Sequence, residues 1–109
     1  MPPRVLIVDP DPIVADSLAD ALREGGHRTA TACDAAEAVN LLDDAGRDPD
    51  PEAAFGVVVT ELDLPRTDGR AFLKQLKKHT SGVVPVAIAQ FGRVDDAVEA
   101  IRLGAIDYL

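Results

Sequence analysis

Short apolar runs alternate with helical stretches along this chain, and that alternation limits the folds open to it. Three runs of strand length, residues 5–8, 55–60 and 83–89, are almost continuously apolar. A strand with apolar residues on both faces is typical of a parallel sheet that helices cover on both sides. The chain is therefore predicted to be an α/β protein.

Helical periodicity follows the apolar runs. Apolar residues recur at three- and four-residue steps from Ile13 to Leu22, and Gly25 supplies a stop signal. A second helix is expected to open at Asp34 and Glu37, whose D-x-x-E spacing resembles a capping box. The remaining predicted elements are a strand within 27–33, a surface loop over 46–52, a helix from near 68–69, a helix through 94–101 and a strand over 106–109. Five strands and four helices fit right-handed crossovers on both faces of one sheet.

Composition restricts the class of protein further. A chain of 109 residues with 47% hydrophobic and 28% charged residues is expected to form one folded domain, residues 1–109. Its net charge of −8 opposes direct binding to nucleic acid. No apolar stretch is long enough for a signal peptide or a membrane span, so a cytoplasmic location is expected. Cys33 is the only cysteine and is expected to be a buried, inert thiol.

Acidic residues follow two of the predicted strands. Asp9 and Asp11 come after the first strand, and Glu61 and Asp63 come at the end of the third. In an open parallel sheet, functional groups collect at the carboxyl ends of the strands. Such a cluster suits a hard cation such as Mg²⁺, but acids at strand ends also cap helices or face water. Spacing alone leaves both interpretations open.

Three segments resemble the receiver domains of bacterial response regulators. Residues 4–12, RVLIVDPDP, are similar to the family's first strand with its acids and proline. Residues 57–69, VVVTELDLPRTDG, are similar to its phosphoacceptor strand and the loop that follows. Residues 94–109 are similar to its fourth helix and fifth strand. The resemblance covers nearly the whole chain. It implies a flavodoxin-like, three-layer α/β/α fold with a five-stranded parallel sheet in the order 2-1-3-4-5.

The departures from the family pattern concern its chemistry. Aligned on Pro12, Asp9 keeps the first acidic position, but Pro10 takes the place of the main Mg²⁺-binding carboxylate. Asp11 could compensate only if its side chain turned inward. Aligned on Pro65, Glu61 stands where the family has its phosphoacceptor aspartate. The resemblance implies Asp9, Glu61 and Asp63 as ligands of a weakened Mg²⁺ site, and no resident cofactor is expected.

The switch positions also differ in part. Gln90 stands where the family has a threonine or serine, so the hydroxyl that couples to the phosphoryl group is lost. Tyr108 matches the aromatic switch residue of the fifth strand. Three interpretations of Glu61 stay open: a partial mimic of the phosphorylated state, an inert site, or a residue that still accepts a phosphoryl group.

These observations predict an atypical receiver domain, independent of phosphorylation, that acts in signal transduction through protein–protein contact. The expected partners are a sensor kinase, an output domain, or a second copy at the fourth-helix and fifth-strand face. The sequence contains neither a phosphate-binding glycine loop nor a Ser/His/Asp set, so we do not expect an enzyme. The alternatives are a conventional Mg²⁺-dependent phosphoacceptor and a small metal-binding flavodoxin-like domain.

The family's fifth helix and a lysine after the fifth strand have no counterpart up to Leu109. The chain is therefore expected to be truncated before the final helix. An output domain beyond Leu109 would make a role in transcription regulation plausible.

Overall fold

Five parallel strands form one sheet in the order β2-β1-β3-β4-β5. The computed structural model describes residues 2–79, 83–88 and 107–108. The strands are β1 (Arg4–Val8), β2 (Thr29–Ala32), β3 (Phe55–Glu61), β4 (Val84–Ile88) and β5 (Asp107–Tyr108). The helices are α1 (Pro12–Glu24), α2 (Ala35–Arg47) and α3 (Gly69–His79), with a 3₁₀ turn at Pro51–Ala53. The predicted flavodoxin-like order is confirmed.

Helices cover both faces of the sheet, as the apolar strands require. On one face, Ala38 and Leu42 of α2 and Phe72 and Leu76 of α3 pack in one buried cluster with residues of the strands. On the other face, Ala15 and Ala19 of α1 pack with the remaining strand side chains. Burying the central strands on both sides removes their apolar surface from water, which is the main favourable contribution to folding.

The register of the central strands positions the acidic segments. Val8, the last residue of β1, pairs with Thr60 of β3, and Glu61 pairs with Ile88 of β4. Asp9 and Glu61 therefore follow adjacent strands at the same edge. This is the edge at which ligands bind in folds of this class.

The boundary after α2 differs from the sequence prediction. Gly46 and Arg47 belong to α2, and Pro51–Ala53 form a 3₁₀ turn, so the prediction of a plain surface loop over 46–52 was wrong at both ends. The helix stops at Asp48, which adopts an extended conformation with ψ of 129°. A residue before proline is disfavoured in the helical region, and Pro49 follows. Pro49 therefore ends the helix at the residue before it. A second proline, Pro51, begins the 3₁₀ turn, where its missing N–H costs nothing.

Cys33 is exposed, so the expectation of a buried thiol was wrong. The residue follows the end of β2 and lies in the loop before α2, beyond the part of the sheet that the helices cover. Its Sγ donates to the Glu37 carboxylate at 3.0 Å. Among the helices that the structure describes, none has the length and apolar character to cross a membrane.

Two predicted features lie outside the described residues. They are the helix through 94–101 and Gln90.

Candidate functional site

A cavity of about 190 Å³ opens at the carboxyl ends of β1, β3 and β4. It brings together all four acids that the sequence places after the first and third strands. The lining residues are Asp9, Pro10, Asp11, Val14, Glu61, Asp63 and Ile88. We call this the acidic pocket.

Asp9 is buried at the base of the acidic pocket, with 8% of its surface exposed. Its backbone N–H donates to Ala32 of β2, which continues the sheet pairing one residue beyond the strand. One carboxylate oxygen, Oδ1, accepts a hydrogen bond from the backbone N–H of Asp11 at 2.8 Å. One of the two oxygens is thus bonded within the turn that leads into α1.

Asp11 is the N-cap of α1. Its Oδ1 accepts from the backbone N–H of Ile13 at 2.9 Å, and Pro12 occupies the first turn. An N-cap oxygen satisfies one of the amide groups that a helix leaves unpaired at its start. The side chain that could have replaced the missing ligand at Pro10 therefore has a local structural role in α1.

Glu61 ends β3 and is as buried as Asp9, at 8% exposed. Its Oε1 accepts a hydrogen bond from the backbone N–H of Asp63 at 3.1 Å. Burial raises the pKa of the Glu61 carboxyl, and the nearby charges of Asp9 and Asp63 raise it further. The amide hydrogen bonds from Asp63 and Leu62 oppose these effects and lower the pKa. The net shift is upward, because removal from water disfavours the charged form.

The loop between Glu61 and α3 closes on the carbonyl of Leu62. That oxygen accepts from the N–H of Leu64 at 3.1 Å and of Gly69 at 3.0 Å. A Cβ at position 69 would overlap the carbonyl oxygen and the Cα of Leu62, so only glycine fits at the start of α3. The glycine of the Asp-Gly motif is thus a packing requirement of this turn.

Arg66 connects the same loop to the start of α2. It adopts φ of 63°, a left-handed conformation that is unfavourable for a residue with a side chain. Its Nη2 donates to Oδ2 of Asp34 at 2.9 Å, while Oδ1 of Asp34 caps α2 at the N–H of Glu37. No spacing rule in the sequence pointed to this contact, since the two residues are 32 positions apart.

The acidic pocket does not form a complete Mg²⁺ site by itself. Mg²⁺ needs near-octahedral oxygen coordination, and proteins supply it with carboxylates aimed at one point. Pro10 offers no side-chain oxygen, Asp11 caps a helix, and Asp9 and Glu61 each have one oxygen hydrogen-bonded to an amide. The assignment of Asp9, Glu61 and Asp63 as ligands stays a prediction.

A different group brings three ligand atoms close together. In residues 2–79, 83–88 and 107–108, only Cys33, Asp34 and Glu37 place such atoms within 4.8 Å of one another. All three already have hydrogen-bond partners: the Cys33 thiol donates to Glu37, and Asp34 accepts from Arg66 and from the α2 backbone.

Two apolar residues on the first turn of α1 are exposed, and one of them, Val14, lines the acidic pocket. Ile13 is 75% exposed and Val14 39% exposed on the first turn of α1. Val14 belongs to the periodic apolar pattern of this helix, and such a pattern normally marks the buried face. Of the two predicted switch positions, Gln90 lies outside the described residues, and Tyr108 lies on β5 opposite Ala87 of β4.

Comparison with known proteins agrees with this fold. Residues 5–109 match the response regulator receiver domain family. The chain is similar to the response regulator protein FleR of Pseudomonas aeruginosa, at 35% identity over all 109 residues and 21% of FleR. It is also similar to the transcriptional regulatory protein PrrA of Mycobacterium tuberculosis, at 35% identity over 98% of this chain and 42% of PrrA.

Solved structures show the same likeness. The receiver domain of NtrX from Brucella abortus superposes with a TM-score of 0.82 at 34% identity, covering 96% of this chain and 82% of that one. A receiver domain protein from Clostridium thermocellum, at 22% identity, shares the fold with a TM-score of 0.85 over 98% of this chain and 80% of that one. The chain spans between 21% and 48% of the length of the curated relatives it matches.

Proposed function

This chain belongs to the response regulator receiver domain family, and we propose that it works there without phosphorylation, through contacts with other proteins. The observation that carries the proposal is Glu61 at the phosphoacceptor position, folded back onto the N–H of Asp63 at 3.1 Å. An attacking carboxylate must reach the phosphorus in line with the leaving group. A side chain one methylene longer, with one oxygen bonded into its own loop, is poorly placed for that attack.

The placement of the attacking carboxylate matters because a receiver domain has few other means of accelerating phosphoryl transfer. Phosphoryl transfer is accelerated mainly by positioning and by charge stabilisation, and an error of about 1 Å can cost on the order of 10²-fold in rate. Pro10 removes a carboxylate from the site, and Asp11 serves α1 instead. Positioning and metal-ion binding are therefore weakened together.

The charge of Glu61 bears on the alternative of a permanently active-like state. A phosphoryl group carries a charge of about −1.5 to −2 at neutral pH. Glu61 carries at most one negative charge, and burial with Asp9 and Asp63 nearby raises its pKa. A single buried carboxyl with a raised pKa carries less negative charge than a phosphoryl group, which favours the inert interpretation.

The proposal makes the domain a binding module and not an enzyme. Its partners would be a sensor kinase, an output domain, or a second copy at the face formed by β5 and the predicted fourth helix. Relatives named as transcriptional regulatory proteins, such as PrrA, extend well beyond this region. An output domain that acts in transcription, in a cytoplasmic protein, is the corresponding proposal for the whole molecule.

Intact-mass measurement tests the central claim. The chain is incubated with a small phosphodonor and Mg²⁺, and we expect no stable gain of about 80 Da, the mass of one phosphoryl group. A stable adduct on Glu61 would contradict the proposal and establish the conventional phosphoacceptor function. Mg²⁺ titration by calorimetry, with Asp9→Ala as the control, addresses the metal-binding alternative.

Reversion to the family residues supplies the positive control. Glu61→Asp alone and Pro10→Asp alone should stay unmodified, because each leaves one part of the site altered. The triple variant Pro10→Asp/Glu61→Asp/Gln90→Thr should gain the phosphoryl mass and bind Mg²⁺ more tightly than the parent chain. Adduct formation by the triple variant and not by the parent chain assigns the loss to these three positions.

A further inference from the structure

The positive charge of this acidic chain is concentrated on one helix. All three lysines, Lys74, Lys77 and Lys78, lie on α3, and residues 69–94 contain five basic and no acidic residues. The remaining 83 residues carry six basic and nineteen acidic side chains, a net charge of −13. A helix face of one sign on a molecule of the opposite sign creates a local field that attracts a complementary surface.

The three lysines share one exposed face of α3. All are exposed, whereas Phe72, Leu73 and Leu76 of the same helix are buried against the sheet. Like charges at spacings of three and four residues repel each other on a helix surface. None of the three lysines forms an ion pair with a residue that the structure describes.

An exposed acidic strip lies on the same side of the molecule. Asp43 on α2, and Asp48 and Asp50 in the loop after it, are exposed, and no described cation pairs with them. Helices α2 and α3 pack on the same face of the sheet. The loop after α2 leads into β3 and the end of α3 leads towards β4, and these strands are neighbours. The acidic strip and the lysine face therefore lie side by side at the amino-terminal edge of the sheet.

We propose that a second copy of this chain docks on the α2–α3 side, with the lysine face of each copy against the acidic strip of the other. A surface with adjacent positive and negative halves is self-complementary about a two-fold axis, which is the commonest symmetry of dimers. Ionic strength near physiological screens charges beyond about 8 Å, so local pairing outweighs the repulsion between the two net charges. This inference rests on the proposal that the domain works by protein contact. It assigns the second copy to the α2–α3 side, away from the acidic pocket and in place of the face of β5 and the predicted fourth helix.

Zero-length cross-linking between lysine and carboxylate tests the inference directly. Unlabelled and heavy-isotope-labelled copies of the chain are mixed, cross-linked and digested. We expect mixed-isotope peptides that join the lysine face to the acidic strip, at a yield that falls as salt rises. Cross-links within single copies alone, or mixed-isotope links confined to other surfaces, would overturn the inference.

Matched neutralising variants separate local pairing from net charge. Asp43→Asn/Asp48→Asn/Asp50→Asn removes three charges from the acidic strip and keeps the oxygens that accept hydrogen bonds in its turns. The control is Asp16→Asn/Asp20→Asn/Glu24→Gln, which removes three exposed charges from α1 on the opposite face. Because asparagine cannot be cross-linked to lysine, dimer formation by these variants is measured by sedimentation velocity instead, and we expect the first variant to dimerise less than wild type and the control to dimerise as wild type does. Equal loss in both would contradict the inference. The phosphodonor experiment tests Glu61 and not the α2–α3 side. Failure of the docking inference can therefore be distinguished from failure of the proposed phosphorylation-independent function.

Discussion

The carboxylate of Glu61 accepts a hydrogen bond from the backbone N–H of Asp63, two residues further along the chain, at 3.1 Å. Glu61, which the resemblance aligns with the phosphoacceptor position, thus stabilises the loop that follows it. Because the amide favours the charged carboxylate while burial and Asp9 disfavour it, the protonation state of Glu61 depends on opposing effects. Burial dominates, and the pKa of Glu61 is raised.

This raised pKa predicts how Glu61 affects stability as the pH changes. An acid that binds its proton more tightly in the folded state favours folding most below its pKa in the unfolded chain. That contribution is lost as the pH rises through the raised pKa of the folded state. We therefore expect the stability of wild type, relative to Glu61→Gln, to decline across this interval towards neutral pH.

Urea unfolding of wild type and Glu61→Gln over a series of pH values measures this difference. Glutamine is nearly isosteric, cannot ionise, and keeps an oxygen for the N–H of Asp63. Glu24→Gln, at the exposed end of α1, controls for the change in net charge. A wild type that gains stability relative to Glu61→Gln with rising pH would show that the pKa is lowered instead.

Gly69→Ala should destabilise the domain by about 1–3 kcal/mol or more, as expected for overpacking against a fixed backbone. The added Cβ would overlap the carbonyl of Leu62, which also accepts the N–H of Gly69. The control is Gly46→Ala in α2, where a Cβ meets no atom within 4 Å. That change should stabilise by about 0.5 kcal/mol through helix propensity. Chemical denaturation measures both, and a Gly69→Ala variant as stable as wild type would contradict the close approach.

The sequence predicted the sheet well because its signals were local. Continuous apolar runs gave β1, β3 and β4, and Gly25 and Asp34 marked the end of α1 and the start of α2 where the structure has them. The resemblance to a known family then supplied the strand order. The strand positions and the strand order together predict that Asp9 and Glu61 lie at the same edge of the sheet.

Long-range contacts were beyond such reasoning. The pairing of Arg66 with Asp34 depends on how two loops meet after folding, and no periodicity encodes it. The exposure of Val14 was missed because an apolar residue in a helical stripe is normally buried, whereas Val14 lies on the first turn of α1 and lines the acidic pocket. Cys33 was missed for a related reason, since its strand ends one residue before it.

Asp34 should contribute more to stability than Arg66. Asp34→Ala removes both the cap of α2 and the partner of Arg66, and loss of an N-cap costs about 0.5–2 kcal/mol. The ion pair itself is highly exposed on the arginine side, at 81%, and such pairs give about 0.2–1 kcal/mol. Asp34→Asn, which keeps a capping oxygen, should lie between wild type and Asp34→Ala.

Arg66 offers a further comparison because its φ is 63°. Arg66→Ala loses the ion pair and keeps the unfavourable conformation, so a small loss of stability is expected. Arg66→Gly loses the same pair but relieves a backbone cost of about 1 kcal/mol, so it should be at least as stable as wild type. Thermal unfolding of the two variants checks the order, and Arg66→Ala above Arg66→Gly would refute it.

Cys33 should react slowly for an exposed thiol. The hydrogen bond to the Glu37 carboxylate raises its pKa, with further increases from desolvation and from the charges of Glu37 and Asp34. The thiolate is the reactive form, so a raised pKa lowers the reactive fraction at neutral pH. Glu37→Gln removes the main cause and should increase the rate of alkylation.

Iodoacetamide labelling followed by intact mass, over a pH series, gives the rate and the apparent pKa of Cys33 directly. Glu37→Gln should shift the rate profile to lower pH. Asp16→Asn, which removes an exposed carboxylate from α1, is the control for net charge. Identical profiles for wild type and Glu37→Gln would mean that the 3.0 Å contact between the thiol and the carboxylate does not persist in solution.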